Sequence, residues 1–252
     1  QYFVVTIILL ICFIFSRDKT WIFTSGFVLI FLWFFVLQTS YPINSPKIKD
    51  KFYFINAYFW NEDSDKIIND IKKLQPKYLA IVELNKKLYE NIKTKLNYKY
   101  EFYYDLNVYS FWFFTNEEII QKKVIEEKNY PIWFVKLKKF DLFIIHPFPP
   151  FNNDLYQKQK QFFAFLGKIL ENKTNFLLVW DFNSSYYSPL FRKYFWSYYF
   201  HPVYSWNIYS PLTIPIDYAI SDKKLKVYPW NKLSSDHIPL IIDPEIDYIS
   251  YK

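Results

Sequence analysis

Asp236 and His237 are the adjacent residues whose types best suit them to chemistry, and they come directly before the apolar run Ile238 to Ile242. That run predicts a buried strand, which places the pair at the entrance of the strand. An aspartate there can hold a divalent cation through oxygen, and a neighbouring imidazole can take a proton from water near neutral pH. A single Asp-His pair is weak evidence, because a surface turn often has the same composition.

Other polar residues follow apolar runs in the same way. They are Asn56 after Phe52, Glu83 after Tyr78 to Val82, His146 after Phe140 to Ile145, and Asp181 and Asn183 after Phe176 to Val179. Any one of them can be an ordinary turn residue. Together they favour a functional site, because polar groups at strand ends converge on one edge of a sheet, where a rigid scaffold can orient them.

The elements that must position these residues are many short strands with a few intercalated helices. The helices are predicted over residues 65–74, 85–96 and 154–171 from apolar side chains at helical spacing. This pattern is typical of an α+β fold or a mixed sandwich. The content of hydrophobic residues, 52%, excludes a disordered chain, and the one cysteine excludes an internal disulfide.

The N-terminal part has a different composition. Two nearly uninterrupted apolar runs, residues 2–16 and 21–37, are separated by Arg17-Asp18-Lys19. A membrane-spanning helix needs ~20 apolar residues, so residues 1–40 predict a transmembrane helical hairpin and residues 41–50 a linker. A signal peptide followed by a buried helix, or buried helices alone, are the alternatives. The chain begins with Gln1 and has no Met, which suggests an N-terminal truncation.

Charge gives two expectations. Arg17 and Lys19 in the turn favour a cytoplasmic loop, which would place the following domain on the extracytoplasmic side of a bacterial plasma membrane. The formal charge of +7 is compatible with a phosphate-bearing partner or an anionic membrane surface, but a solvated, lysine-rich surface would give the same value.

The ordered motifs resemble the endonuclease/exonuclease/phosphatase superfamily, which has the DNase I-like fold. The matching segments are Leu79-Ala80-Ile81-Val82-Glu83, His146-Pro147-Phe148-Pro149-Pro150, Trp180-Asp181-Phe182-Asn183, Ile216-Asp217-Tyr218 and Ser235-Asp236-His237. With the apolar N-terminal runs they are most similar to the membrane-anchored YafD/VanJ-like branch. The resemblance implies a four-layer α/β/β/α sandwich of two packed mixed sheets and a catalytic domain over residues 51–252.

The resemblance also implies a role for each residue. Glu83, Asp236 and Asn56 would bind the metal, and hard oxygen ligands suit Mg²⁺ or Mn²⁺. His237 would be the general base on water and Asp217 would orient it. The remaining implied roles are Asp181 for the nucleophile or leaving group, His146 and Asn183 for the phosphoryl oxygens, and Asn61, Trp206 and Tyr109 for substrate contacts.

One position departs from the family pattern, because Trp180 stands where the family has glycine. A bulky side chain there is expected to reshape the pocket wall, and it favours an inactive member. Three functions therefore compete. The first is a membrane-anchored, metal-dependent phosphoesterase acting on a phosphate ester or pyrophosphate. Anchoring near the bilayer makes a lipid-linked substrate attractive. The others are a nuclease using the same residues and a catalytically decayed binding protein. The nuclease ranks lower because the Lys pairs are scattered along the chain.

Overall fold

The computed structural model describes residues 51–61, 63–105, 109–127, 130–206, 214–231 and 233–243. The strands within these residues are β1 Phe52–Asn56, β2 Tyr78–Val82, β3 Tyr100–Tyr104, β4 Phe111–Thr115, β5 Gln121–Glu127, β6 Tyr130–Lys136, β7 Asp141–Ile145, β8 Phe176–Asp181, β9 Tyr199–Val203, β10 Asp217–Ser221, β11 Lys226–Pro229 and β12 Leu240–Asp243. The helices are α1 Ser64–Leu74, α2 Lys86–Lys95, α3 Asn153–Leu170 and α4 Pro189–Phe195.

The strands form two mixed sheets of six strands each. The first has the order β11-β12-β1-β2-β4-β3 and the second β5-β6-β7-β8-β10-β9. Each sheet contains one parallel pair, β1 with β2 and β7 with β8, and the other neighbours are antiparallel. A parallel pair needs a crossover, which α1 provides in the first sheet and α3 in the second.

Three apolar layers hold the sandwich together. Alternate side chains of both sheets, such as Phe54 and Ala80 from one and Val179 from the other, meet in a central core. The opposite faces pack against helices, with α1 and α2 on the first sheet and α3 and α4 on the second. Central strands such as β1 and β2 are therefore buried on both faces, which explains their continuous apolar sequences. The predicted α+β sandwich of two packed mixed sheets is confirmed.

This topology brings the predicted strand ends together. The parallel pair β1 and β2 ends at Asn56 and just before Glu83, and the parallel pair β7 and β8 ends just before His146 and at Asp181. Strand β10 runs antiparallel to β8, so its first residue, Asp217, lies opposite Asp181. Strand β12 runs antiparallel to β1, so the loop before it also lies at this edge.

Some predictions need correction or lie outside the described residues. Strand β12 begins at Leu240, later than predicted, so His237 lies in a loop and forms an isolated bridge with Trp206. Helix α4 and strand β9 were not predicted. The predicted transmembrane hairpin and linker lie outside the described residues. Among the helices that are described, none is both long and apolar enough to span a bilayer.

Candidate active site

Asp181 lies at the centre of the polar cluster. Along β8, Leu177 and Val179 point into the core between the sheets, and Asp181 continues this alternation at the strand end. The carboxylate is 1% exposed. Its Oδ2 accepts a hydrogen bond from Asn56 Nδ2 at 3.0 Å and lies 3.6 Å from His146 Nε2 and 3.7 Å from His237 Nε2. Both sheets therefore contribute to one buried site.

Glu83 joins this cluster from the end of β2. Its Oε1 accepts a hydrogen bond from Asn56 Nδ2 at 2.9 Å and lies 3.3 Å from His146 Nε2. The backbone of Glu83, just after β2, is left-handed, with φ 54°, and Asn183, in the loop after β8, has φ 46°. Such conformations are uncommon outside glycine and persist where the surroundings hold them. A residue with a left-handed backbone thus follows one strand of each sheet, beside the cluster.

His237 and Asp217 form a buried pair. His237 Nδ1 lies 2.7 Å from Asp217 Oδ2, and Ser205 Oγ donates to the same carboxylate oxygen. Ser235 fixes the loop that carries the histidine, because its Oγ accepts from the backbone N–H of His237 at 3.0 Å and donates to the carbonyl of Asn56 at 2.7 Å. The ring is thus oriented at Nδ1, which directs Nε2 toward Asp181.

The charges of the cluster favour the protonated forms of His237 and His146. Burial lowers the pKa of His237, but the charges of Asp217 and Asp181 outweigh it and raise the pKa to about 10. The pKa of His146 is also raised, because contacts with Asp181 and Glu83 outweigh its burial. Burial raises the pKa of Asp217, although His237 opposes this. The pKa of Asp181 is lowered, since both histidines outweigh its desolvation. The excess of carboxylates therefore attracts positive charge.

The donor set fits a divalent metal ion. Within the described residues two groups of three side chains bring one ligand atom each to within 4.8 Å of the others: Glu83, His146 and Asp181, and Asp181, Asp217 and His237. Two buried atoms in these groups, His146 Nδ1 and Asp217 Oδ1, have no hydrogen-bond partner within the part of the chain that the structure describes. Carboxylate oxygens and imidazole nitrogens are ordinary ligands of divalent metals. Glu83 and Asp181 are the carboxylates that would hold a cation, and His146 Nε2 lies beside them at 3.3 and 3.6 Å.

Two predicted metal ligands are oriented differently from the expectation. Asn56 directs its amide nitrogen at both carboxylates, while its Oδ1 accepts from the backbone N–H of Tyr58 at 2.9 Å. Asp236 belongs to neither group of three found among the described residues, and its Oδ2 accepts a hydrogen bond from Trp206 Nε1 at 3.2 Å. In this arrangement Asn56 acts as a donor that holds two acids together, and Asp236 lies beside the cluster.

The predicted phosphoryl and substrate contacts are arranged as follows. Asn183 donates its side-chain amide to the carbonyl of Pro147 at 2.9 Å, and its backbone N–H to Asp181 Oδ1 at 3.0 Å. Tyr109 lies at the edge of the site, with its ring centroid 5.3 Å from that of His146. Burial and the charge of Glu83 raise the pKa of Tyr109 to about 12.

Asn61 and Trp206 have structural contacts that the sequence did not reveal. Asn61 is 6% exposed, and its amide donates to Ala57 O at 3.1 Å and Ser234 Oγ at 3.0 Å. It joins the loop after β1 to the loop before β12, which differs from the expected contact with substrate. Trp206 binds Asp236 through its indole N–H. No role was predicted for Ser205, which precedes Trp206, or for Ser235, which belongs to the Ser235-Asp236-His237 segment.

Trp180 does not form a wall of the cluster. Because side chains alternate along β8, it points to the opposite face from Asp181 and packs under α3, with its ring centroid 5.3 Å from that of Phe163. It is fully buried in the outer layer of the second sheet. The expectation that it reshapes the pocket wall is therefore wrong.

Comparisons with known proteins found similar solved structures but no similar sequences. No protein-family model matches the sequence. No curated protein sequence matches it. Among solved structures, a D. rerio TDP2 humanised by 14 mutations matches with a TM-score of 0.60 and 10% identity over 77% of this chain and 97% of that chain.

Two phosphatases match over a similar extent. The 3′ phosphatase NExo from Neisseria, bound to a product DNA hairpin, has a TM-score of 0.60 and 13% identity over 77% of this chain and 98% of that chain. The mannosyl-6-phosphatase of Bacteroides thetaiotaomicron has a TM-score of 0.55 and 12% identity over 77% and 98%. These neighbours share one fold with the described part of the chain, the DNase I-like α+β sandwich.

Proposed function

We propose that this protein is a divalent-metal-dependent phosphoesterase that hydrolyses a phosphate ester or pyrophosphate by attack of water. The observation that carries the proposal is the position of His237, whose Nδ1 lies 2.7 Å from Asp217 and whose Nε2 faces Asp181 at 3.7 Å. An imidazole held in this way by one carboxylate can take a proton at its other nitrogen. The fold it shares with two named phosphatases supports the same class of reaction.

The residues have two tasks, which are to neutralise the charge of the phosphate and to transfer protons. Phosphate esters resist attack because their oxygens are anionic. Mg²⁺ or Mn²⁺ held by Glu83 and its neighbours would neutralise this charge. His237 removes the proton of the attacking water at Nε2, and Asp217 stabilises the imidazolium that forms. Asp181 is ionised, because its pKa is lowered, and would position the attacking water. His146, whose pKa is raised, would donate to a phosphoryl oxygen.

The function of His237 as a base depends on additional positive charge in the cluster. With its pKa raised to about 10 by two carboxylates, it is protonated at neutral pH when no cation is bound. Positive charge beside Asp181 and Glu83 opposes this shift and lowers the pKa toward the working pH. Metal dependence and the protonation state of the base are therefore linked in this proposal.

We further propose that the substrate is lipid-linked and that the protein is anchored in a bacterial plasma membrane with its domain outside the cytoplasm. The two apolar runs of residues 2–16 and 21–37 support the anchor, and Arg17 and Lys19 between them support the orientation. Anchoring would keep the site near phosphates at a bilayer surface. In the Cys12→Ser chain, labelling of single cysteines introduced at residues 17–19 or in the domain, from either side of the membrane, tests the orientation.

A substrate panel tests the reaction class. The purified full chain in detergent is incubated with Mg²⁺ or Mn²⁺ and, in turn, a soluble phosphomonoester, a lipid pyrophosphate and supercoiled plasmid DNA. We expect phosphate release from the lipid pyrophosphate. Plasmid nicking without phosphate release would favour the nuclease, which the DNA-bound neighbour makes worth testing. No hydrolysis of any substrate, with no metal binding at millimolar concentration, would favour a non-catalytic binding protein.

A further inference from the structure

Exposed apolar side chains lie in the loops that carry the residues of the site. Among the described residues, Phe151 and Trp60 are the most exposed large apolar side chains, at 85% and 64%. Together with three others they form what we call the apolar rim. The rim consists of Tyr58, Trp60, Phe151, Tyr187 and Ile214.

Each member of the rim follows or precedes a residue of the site. Tyr58 and Trp60 come two and four residues after Asn56, and the backbone N–H groups of Tyr58 and Phe59 donate to Asn56 and Glu83. The ring of Trp60 packs on that of Tyr58 with centroids 5.6 Å apart. This part of the rim is therefore fixed to the cluster by direct hydrogen bonds.

The second sheet supplies the other side of the rim. Phe151 ends the segment that begins at His146, and Tyr187 comes four residues after Asn183. Ile214 forms a backbone bridge with Trp206, whose indole binds Asp236. The rim thus comprises loops from both halves of the sandwich, all at the edge where the site lies.

The lack of cationic side chains in these loops argues against nucleic acid and anionic lipid as partners and favours an uncharged bilayer. The chain carries 31 Lys and Arg residues, but none lies in residues 57–64, 146–152, 182–188 or 204–216, which contain the rim. A surface that tracks a nucleic-acid backbone needs such cations, and so does binding to anionic lipid headgroups. Tyr and Trp side chains without cations suit the interface of an uncharged bilayer, where the ring lies at the level of the headgroups.

The connection to the N-terminal part permits this contact. The chain enters the first sheet at Lys51, at the end of β1 opposite to Asn56, and β1 is roughly 17 Å long. Residues 41–50 can extend over at most ~36 Å. The extended length of residues 41–50 exceeds the length of β1. If the apolar runs span a membrane, the domain can therefore still turn its site toward the surface of that membrane.

We propose that the apolar rim rests on a neutral lipid surface and holds the mouth of the site at the headgroup level. This inference concerns a docking surface and stands independently of the proposed hydrolysis, because lipid contact is measured without turnover. The shared partner chemistry is a zwitterionic phospholipid interface. A rim covered instead by the chain's own N-terminal part, or by a second copy, is a distinct outcome of the test.

The test places a fluorescent label on the rim of the full chain in zwitterionic phosphatidylcholine vesicles. Cys12→Ser removes the native thiol, and Phe151→Cys carries an environment-sensitive fluorophore. Ile120→Cys is the matched control, because Ile120 is 57% exposed and lies at the opposite end of the second sheet. Trp60→Cys provides a second rim position in case the first variant fails to fold.

Side chains at an interface lie about 5–10 Å into the headgroup region, so lipids with a nitroxide near the headgroup should quench the rim label. We expect a blue-shifted emission and loss of most of the signal at position 151, with little change at position 120. Equal quenching at both positions would overturn the proposal. A blue shift at position 151 without quenching by nitroxide lipids would overturn it as well, since the rim would then be covered by protein.

Discussion

His237 Nδ1 lies 2.7 Å from Asp217 Oδ2, and the other ring nitrogen faces Asp181 at 3.7 Å. The two carboxylates come from neighbouring strands, β10 and β8, whose register places them opposite one another. The histidine comes from the loop before a strand of the other sheet. The site is therefore built only when both sheets pack, which links catalysis to the integrity of the whole sandwich.

Replacing Asp217 tests the orientation of the histidine. Asp217→Asn keeps the size of the side chain but removes the charge that stabilises the imidazolium, so kcat should fall by about 10³–10⁴-fold. Steady-state kinetics on the substrate found in the panel measures it. Asp154→Asn, which changes an exposed carboxylate on α3, is the control and should leave kcat unchanged. Equal rates for Asp217→Asn and the unmodified chain would exclude the proposed pair.

Removing the charge of Glu83 tests the metal site. Glu83→Gln keeps the shape and loses the carboxylate that faces His146, so the affinity for Mn²⁺ should fall by at least about tenfold. Isothermal titration with Mn²⁺ measures this directly, without turnover. Glu90→Gln on the exposed face of α2 is the matched control. If both variants bind Mn²⁺ equally well, Glu83 is not a ligand.

The raised pKa of His237 predicts how stability depends on pH in the absence of metal. In the unfolded chain the pKa is 6.5, and in the folded chain it is about 10. The proton thus stabilises the fold fully below pH 6.5, and this contribution is lost as the pH rises through 10. The free energy of unfolding in EDTA, from urea titrations between pH 7 and 9, should fall as pH rises.

Two histidine variants show whether His237 causes this slope. His237→Gln should flatten the dependence, because the titrating group is gone. His201→Gln should keep it, since burial lowers the pKa of His201 and that residue contributes with the opposite sign. If the free energy of unfolding of His237→Gln falls with pH as steeply as that of the unmodified chain, a group other than His237 causes the pH dependence.

Trp180 is predicted to serve stability and not the chemistry. Trp180→Gly introduces the glycine of the family that the motifs resemble, but it also opens a cavity between β8 and α3. Loss of a buried Trp side chain costs about 3–5 kcal/mol, which urea unfolding would measure. Trp196→Gly removes a Trp that is 57% exposed and should cost far less. Higher activity in Trp180→Gly, without loss of stability, would contradict the assigned position.

The arrangement of the site could be predicted from the sequence because apolar runs buried on both faces are easy to recognise. Each of β1, β2, β7 and β8 is such a run, and the polar residue after it marks where the strand ends. The motif of Asp181 and that of Asp236 and His237 gave the resemblance that fixed which ends meet. Parallel pairing then follows from the helices between the strands.

The remaining features depend on information that is not local in the sequence. Strand β9 contains Pro202 and lies at a sheet edge, where proline is tolerated but weakens the pattern. Helix α4 has seven residues, too few for a clear periodicity. The contact of Asp236 with Trp206 joins residues 30 positions apart, and the orientation of the Asn56 amide is set by the backbone of Tyr58.

The most direct test of the account is the dependence of phosphate release on metal and on His237. Hydrolysis by the full chain is measured with Mg²⁺, with EDTA, and with Mg²⁺ after His237→Gln. The account predicts release only in the first case, because charge neutralisation and proton removal are both required. Release that persists in EDTA and in His237→Gln would contradict it.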